Sequence, residues 1–190
     1  MRLTTYCFEK AGRRNTDQTL EIAYRRAKAL GIGQIVVASS HGETARKAHA
    51  LCAPDGIEVI AVTICHGWES EGWCMSAQTK AELQGMGISV VTGIHALGDG
   101  VASAFSEKHG GRAPDEIIRD TLYRFCQGMK VAVECVLMAA DAGLLSVDHE
   151  AIAIAGTGAG ADTAIVCKPA CPRNFFDLEI REVLAKPRVP

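Results

Sequence analysis

The chain has 190 residues, of which 48% are apolar and 22% are charged, and its formal net charge is −2. This composition is typical of a folded globular protein, and a chain of this length buries roughly 70% of its unfolded surface in one domain. The basic residues are scattered and only 5% of all residues are aromatic, which argues against a nucleic-acid-binding face. We therefore expect a single domain over residues 1–190 that binds no nucleic acid.

Hydrophobic periodicity and turn residues divide the chain into alternating strands and helices. The predicted strands are, in chain order, 6–8 (a strand or an arm), 34–38, 57–64, 88–91, 151–155 and 161–167. The predicted helices are 16–30, 42–52, 76–84, 101–108, 114–127 and 129–142, with Gly128 dividing the last two. The tail, 174–187, fits an edge strand, a helix or both. This order predicts a three-layer α/β fold with a mainly parallel sheet and one antiparallel strand near the end.

The segment 129–147 is the longest apolar stretch, and Lys130, Glu134 and Asp141 interrupt it. It is therefore expected to be a helix in the core or in a subunit interface, and not a membrane span. Because this helix needs more cover than a small sheet provides, we expect a homo-oligomer. The start of the chain lacks an apolar signal segment, so a cytoplasmic location without membrane contact is expected.

Eight cysteines are distributed over the predicted strands and helices, where we expect small buried hydrophobes and no disulfides. Cys167 and Cys171 have a spacing that a metal site uses, but no second Cys/His pair lies beside them. The sequence also contains no convincing Ser-His-Asp set and no carboxylate dyad. We therefore predict neither a metal nor an identifiable set of catalytic residues.

The first candidate binding site is the turn that joins the strand at 34–38 to the helix that follows. Unpaired N–H groups and a positive dipole at a helix N-terminus bind phosphate well. The alternative is that a serine in the turn only caps the helix. The candidate ligand contacts in this turn are Ser39, Ser40, His41, Gly42, Glu43 and Thr44.

The second candidate site is the glycine-rich turn after the strand at 151–155, formed by Gly156, Thr157, Gly158 and Gly160. Its third glycine comes one position early for a dinucleotide-binding G-x-G-x-x-G motif, and the residues after it do not have helical patterning. A loop between two strands whose amides bind an anion fits better, and an ordinary hairpin loop is the alternative. Asp162 is expected either to bind ligand hydroxyls or to satisfy the loop backbone.

The segments Ile-Val-Val-Ala-Ser-Ser-His-Gly-Glu-Thr-Ala-Arg at 35–46 and Ile-Ala-Val-Thr at 60–63 resemble the C-terminal domain of pyruvate kinase. The segment 151–166 resembles its final pair of strands with the glycine-rich effector loop between them. The resemblance implies that both turns hold the phosphates of a ligand. The chain also resembles free-standing archaeal and bacterial proteins of this fold, and this resemblance implies an association with bound flavin mononucleotide (FMN).

A flavin would extend the site beyond the two turns, to loops after the next two strands. Trp68, with Trp73, is expected to stack on the flavin ring or to anchor its own loop. His66 is a candidate acid/base, and Asp99 a candidate for binding a ribityl hydroxyl or a metal, although Gly-Asp-Gly is also a common turn. The further residues assigned to the cofactor are Thr63, His66, Gly67, Trp68, Gly98 and Asp99.

The sequence leaves the activity open between classes. An FMN-binding protein of unknown reaction is the main hypothesis. A non-catalytic sensor of a phosphorylated metabolite is the second, and a transferase or hydrolase acting on a phosphorylated substrate is the third.

Overall fold

The computed structural model describes residues 2–189, which form one sheet with helices on both faces. The strands are β1 (Tyr6–Phe8), β2 (Gln34–Ala38), β3 (Glu58–Thr63), β4 (Ser89–Thr92), β5 (Ala151–Ala155), β6 (Thr163–Lys168) and β7 (Glu179–Pro187). The helices are α1 (Thr16–Leu30), α2 (Glu43–Cys52), α3 (Ala77–Gly85), α4 (Val101–His109), α5 (Pro114–Leu122) and α6 (Gln127–Asp141). Short 3₁₀ segments at His66–Glu71 and Pro172–Asp177 bear on the site and the tail.

Within residues 2–189 the sheet has seven strands in the order β1-β7-β6-β5-β2-β3-β4. β5, β2, β3 and β4 are parallel neighbours, and β1 is parallel to β7. β6 runs antiparallel to both of its neighbours, β5 and β7. The predicted α/β fold with a mainly parallel sheet and one antiparallel strand is thus confirmed.

The two faces of the sheet pack on different helices, which gives three layers. On β2, Ile35 and Val37 point into a core shared with α1 and α2, whereas Val36 points into the core around α6. All three side chains are fully buried. Strands covered on both faces read as continuous apolar runs, which is why they were recognisable in the sequence.

Helix α6 lies inside the core of the chain, packed against β2, β5 and β6. Cover from a second subunit is therefore not needed to bury it, and this premise for a homo-oligomer falls away. The division predicted at Gly128 is also displaced, because this residue lies within α6 and the break falls at 123–126. A side chain at Gly128 would collide with Thr163, so the glycine permits close packing of α6 on β6. Among residues 2–189 no helix is long and apolar enough to cross a membrane.

The tail contains both a 3₁₀ segment, Pro172–Asp177, and the long strand β7. β7 is an internal strand between β6 and β1, so the edge of the sheet on this side is β1. The tail alone does not show this arrangement, because its neighbour β1 comes from the opposite end of the chain.

Candidate functional site

The carboxyl ends of the parallel strands bring the two predicted turns together. Val37 pairs with Ile154, so continuing this register by two residues sets Ser39 beside Gly156. On the other side of β2, the Ser39 N–H donates to the Val62 carbonyl at 2.9 Å. Since neighbouring strands lie about 4.8 Å apart, the serine turn and the glycine turn are adjacent at one edge of the sheet.

In the serine turn, residues 39–44, one serine side chain is used by the fold. Ser39 is buried, and its Oγ accepts a hydrogen bond from the Ala45 N–H at 3.3 Å, so it satisfies one of the free N–H groups in the first turn of α2. The backbone N–H groups of Glu43 and Thr44 begin the helix and have no intrahelical acceptor. Ser40 is half-buried and His41 is exposed. The side chain of Ser39 is thus engaged in the fold, whereas the N–H groups of Glu43 and Thr44 have no acceptor within the helix.

Gly42 has a left-handed backbone conformation, with φ of +84°. A side chain here would press on Arg46, Thr79 and Leu83, so both conformation and packing require glycine. Thr44 is buried beneath the turn. These features shape the turn.

Two arginines flank the serine turn, each paired with a carboxylate. Arg13 bonds Glu43 at 2.5 Å, and Arg46 bonds Glu82 at 2.8 Å. The hydrogen bond from Arg13 lowers the pKa of the Glu43 carboxyl. Arg13 was missed in the sequence because it lies 30 residues before the carboxylate it pairs with. An anion at the turn would find Arg13 close by, in competition with Glu43.

The glycine turn is held tightly against the start of α1. A side chain at Gly156 would collide with the Gly160 carbonyl, and one at Gly160 would collide with Thr16 and Arg13. Gly158 meets nothing within 4 Å and has a φ of +73°. Close packing therefore explains why Gly156 and Gly160 are glycines, whereas a side chain at Gly158 would meet no neighbouring atom.

Asp162 supports the glycine turn from inside the protein. Its side chain is fully buried, with Oδ2 accepting N–H groups of Gly12 at 2.9 Å and of Thr157 at 3.2 Å. Its Oδ1 accepts the Thr163 hydroxyl at 2.8 Å. Of the two roles considered for Asp162, the structure thus gives it the second, satisfying the loop backbone.

Thr157 carries the one hydroxyl group of the glycine turn, and that group makes no hydrogen bond to the rest of the described chain. Its Oγ1 is inaccessible to solvent and has no hydrogen-bond partner among the described residues. Buried hydroxyls are nearly always hydrogen-bonded in folded proteins, so a buried hydroxyl without a partner is unusual. A ligand oxygen bound in the turn would supply the missing partner.

The tryptophans of the 65–74 loop stack on each other. The rings of Trp68 and Trp73 lie 5.1 Å apart with an interplanar angle of 23°, and the Trp68 indole N–H donates to Asp99 at 3.1 Å. This favours the loop-anchor alternative over stacking on a flavin. His66 and Gly67 are exposed, and Thr63 is buried beneath them.

A second polar group lies at the ends of β3 and β4. His95 donates from Nδ1 to Asp99 Oδ2 at 2.5 Å, and its Nε2 accepts the Cys65 N–H at 3.3 Å. Asp99 is the one non-glycine residue with positive φ among residues 2–189, at +59°, and the preceding Gly98 is buried. Burial raises the pKa of the Cys65 thiol. Cys65 and His95 were missed because they lie 30 residues apart and match no motif.

An open depression of about 680 Å³ lies at the opposite, amino edge of the sheet, lined by residues such as Gly33, Glu58 and His149. Ligands of open α/β sheets bind at the carboxyl edge, and the unpaired groups described above are there. We therefore place the candidate site at the carboxyl edge.

The comparison with known families agrees with the fold. A sequence model described as "Pyruvate kinase, alpha/beta domain" matches residues 17–167, from the start of α1 to the end of β6. The match includes both turns and the strands that align them. The protein therefore belongs to the pyruvate kinase alpha/beta domain family.

Proposed function

We propose that this protein binds a phosphorylated small molecule at the carboxyl edge of its sheet, and that the ligand is FMN. The observation that carries the proposal is the register of β2 and β5, which sets the serine turn directly beside the glycine turn. A phosphate between them would face the N-terminus of α2, where the backbone N–H groups and the helix dipole favour an anion.

Three further features support a phosphate at this position. Among the described residues the Thr157 hydroxyl lacks a hydrogen-bond partner. Ser40, in the neighbouring turn, is half-buried, and Arg13 supplies a cation that is paired with the exposed carboxylate of Glu43. Because exposed ion pairs of this kind are screened by solvent and contribute little, exchange of Glu43 for a phosphate costs little. FMN is the chemical identity implied by the family resemblance.

The proposed setting is a reducing cytoplasm. All eight cysteines lie within the described residues and are free, and five of them are buried. Thiols that stay reduced are usual in that compartment.

The test is a titration of the purified protein with FMN, followed by flavin fluorescence and visible absorption. Ser40→Ala should weaken binding about tenfold, since a hydrogen bond to a charged group contributes about 1.5 kcal/mol. Ser146→Ala is the matched control, because Ser146 lies in a turn at the amino edge and its hydroxyl accepts only a local N–H. Equal affinities for all three proteins would refute the phosphate site.

If the protein is colourless and binds a sugar phosphate in place of FMN, the phosphate site at the two turns would stand but the proposed identity of the ligand would be wrong. Native mass spectrometry of protein purified without added ligand distinguishes the two. A bound mass equal to that of FMN supports the flavin, and a different phosphorylated mass supports the metabolite sensor.

A further inference from the structure

Three side chains with metal-binding atoms meet at the carboxyl ends of β3 and β4, apart from the phosphate turns. Cys65 lies two residues after β3, and His95 lies three residues after β4. The Cys65 Sγ, one imidazole nitrogen of His95 and one carboxylate oxygen of Asp99 lie within 4.8 Å of one another. We propose that these three residues bind one divalent transition-metal ion, of which zinc fits best.

The donor set selects the kind of ion. A thiolate and an imidazole favour zinc and similar metals over magnesium and calcium, which prefer oxygen ligands alone. Metal–ligand bonds of about 2.0–2.3 Å place the donors of a tetrahedral site about 3.3–3.8 Å apart. Since the three donor atoms lie within 4.8 Å of one another, side-chain movements of about 1 Å bring them to these separations. The His95–Asp99 pair, at 2.5 Å, has to open, because bonds to the ion replace the hydrogen bond between the two side chains. As Sγ binds the ion, the thiol proton is released to solvent, and the resulting thiolate and carboxylate balance the two positive charges.

Contacts outside the triangle hold its members in place. The Trp68 indole N–H donates to Asp99 at 3.1 Å, and the neighbouring Leu97 N–H donates to the buried Glu134 carboxylate at 3.0 Å. Glu134 is in turn fixed by Lys130, one turn earlier on α6. The loop that carries His95 and Asp99 is therefore anchored to the core helix, and such outer contacts commonly orient metal ligands.

The backbone of Asp99 adds an independent indication. A left-handed conformation is uncommon for residues other than glycine, and such conformations cluster at functional sites. In this conformation the carboxylate lies within reach of both His95 and Trp68. Three protein ligands leave a fourth position for water.

Two alternatives use the same residues without a metal. The His95–Asp99 pair, four residues apart, would simply close a turn, with Cys65 as a small buried hydrophobe. Alternatively, His95 oriented by Asp99 would serve as a base for Cys65 as a nucleophile. Each alternative predicts an outcome that metal binding does not.

The experiment is a Co²⁺ titration of the full chain after dialysis against a chelator, followed by absorption. One Co²⁺ per chain should give tetrahedral bands in the visible range and a thiolate charge-transfer band in the near ultraviolet. Cys65→Ala should abolish the charge-transfer band, and Asp99→Asn should weaken Co²⁺ binding at least about tenfold. Cys7→Ala removes an exposed thiol and Cys74→Ala a thiol next to Cys65, and both variants should keep the band.

A charge-transfer band that survives in Cys65→Ala, or none in the wild type, would overturn the proposal. Asp99 is on the surface of its loop, so Asp99→Asn should fold and provides the test if Cys65→Ala does not. Alkylation of Cys65 by iodoacetamide gives a second measurement: saturating Zn²⁺ should suppress it at least about tenfold. Alkylation at an unchanged rate would refute the metal site and favour the nucleophile.

Discussion

Thr157→Val tests the proposed site most sharply, because it should change stability and ligand binding in opposite directions. Valine has nearly the same shape as threonine, but it lacks the Oγ1, which is buried without a hydrogen-bond partner among residues 2–189. An unsatisfied buried hydroxyl costs about 1–3 kcal/mol, so its removal should stabilise the empty protein by about 1 kcal/mol. For a chain of this length, the melting temperature would rise by about 2–4 °C.

The same substitution should weaken binding of the phosphorylated ligand. A hydrogen bond to a charged oxygen contributes about 1.5–3 kcal/mol, which corresponds to a loss of about tenfold to a hundredfold in affinity. The two assays are thermal unfolding of the ligand-free protein and fluorescence titration with FMN. Thr121→Val is the control, since that hydroxyl bonds only the Ile117 carbonyl within α5, and it should leave the affinity unchanged.

The reasoning fails if Thr157→Val lowers the melting temperature of the ligand-free protein by more than the control does. That result would mean that the hydroxyl already has a structural partner. It also fails if stability rises as expected but the affinity for FMN stays the same, because the orphan hydroxyl would then have no part in binding.

Four further predictions follow from the contacts. Asp162→Ala should remove the acceptor of the partly buried N–H groups of Gly12 and Thr157 and lower the free energy of unfolding by about 1–3 kcal/mol. Asp162→Asn, which keeps one oxygen, should lose less than half of that in a denaturant titration. Glu43→Gln should raise the affinity for an anion about 2–5-fold because it releases Arg13, and Arg13→Gln should lower that affinity. If both substitutions changed the affinity for FMN in the same direction, the proposed role of the pair would be wrong. Hydrogen bonds from Ser106 and the Ala113 N–H lower the pKa of Glu116, so its contribution to stability is complete above the unfolded pKa of about 4.3 and is lost as the pH falls through the lower folded pKa. The melting temperature of Glu116→Gln should therefore fall less than that of the wild type between about pH 5 and pH 3, and parallel curves would refute this role. Homo-oligomerisation stays a prediction, which now rests on the exposed side chains of Val101 and Phe105 on α4. Light scattering should give a smaller particle mass for Phe105→Asp than for the wild type. An unchanged mass would exclude this face of α4 as the interface.

The sequence by itself determined most strands, helices and turns, because these depend on neighbouring residues. The β-branched run of β2 and the glycine after α1 mark their elements without reference to the rest of the chain. The same local signals placed Ser39–Ser40 and the glycine turn after strands, and the strand–helix alternation then implied a common edge. Both turns were therefore found before their neighbours were known.

Only the tertiary structure decided which residues meet across long stretches of chain. It placed β7 inside the sheet beside β1, because strand pairing is a non-local choice. It buried Asp162 under the start of α1, where the carboxylate serves the N–H groups of the loop. It also brought Cys65 to His95, which share no local pattern and meet only because β3 and β4 are parallel neighbours. Local sequence thus specifies the elements, whereas packing of the sheet determines which of their end residues form a site.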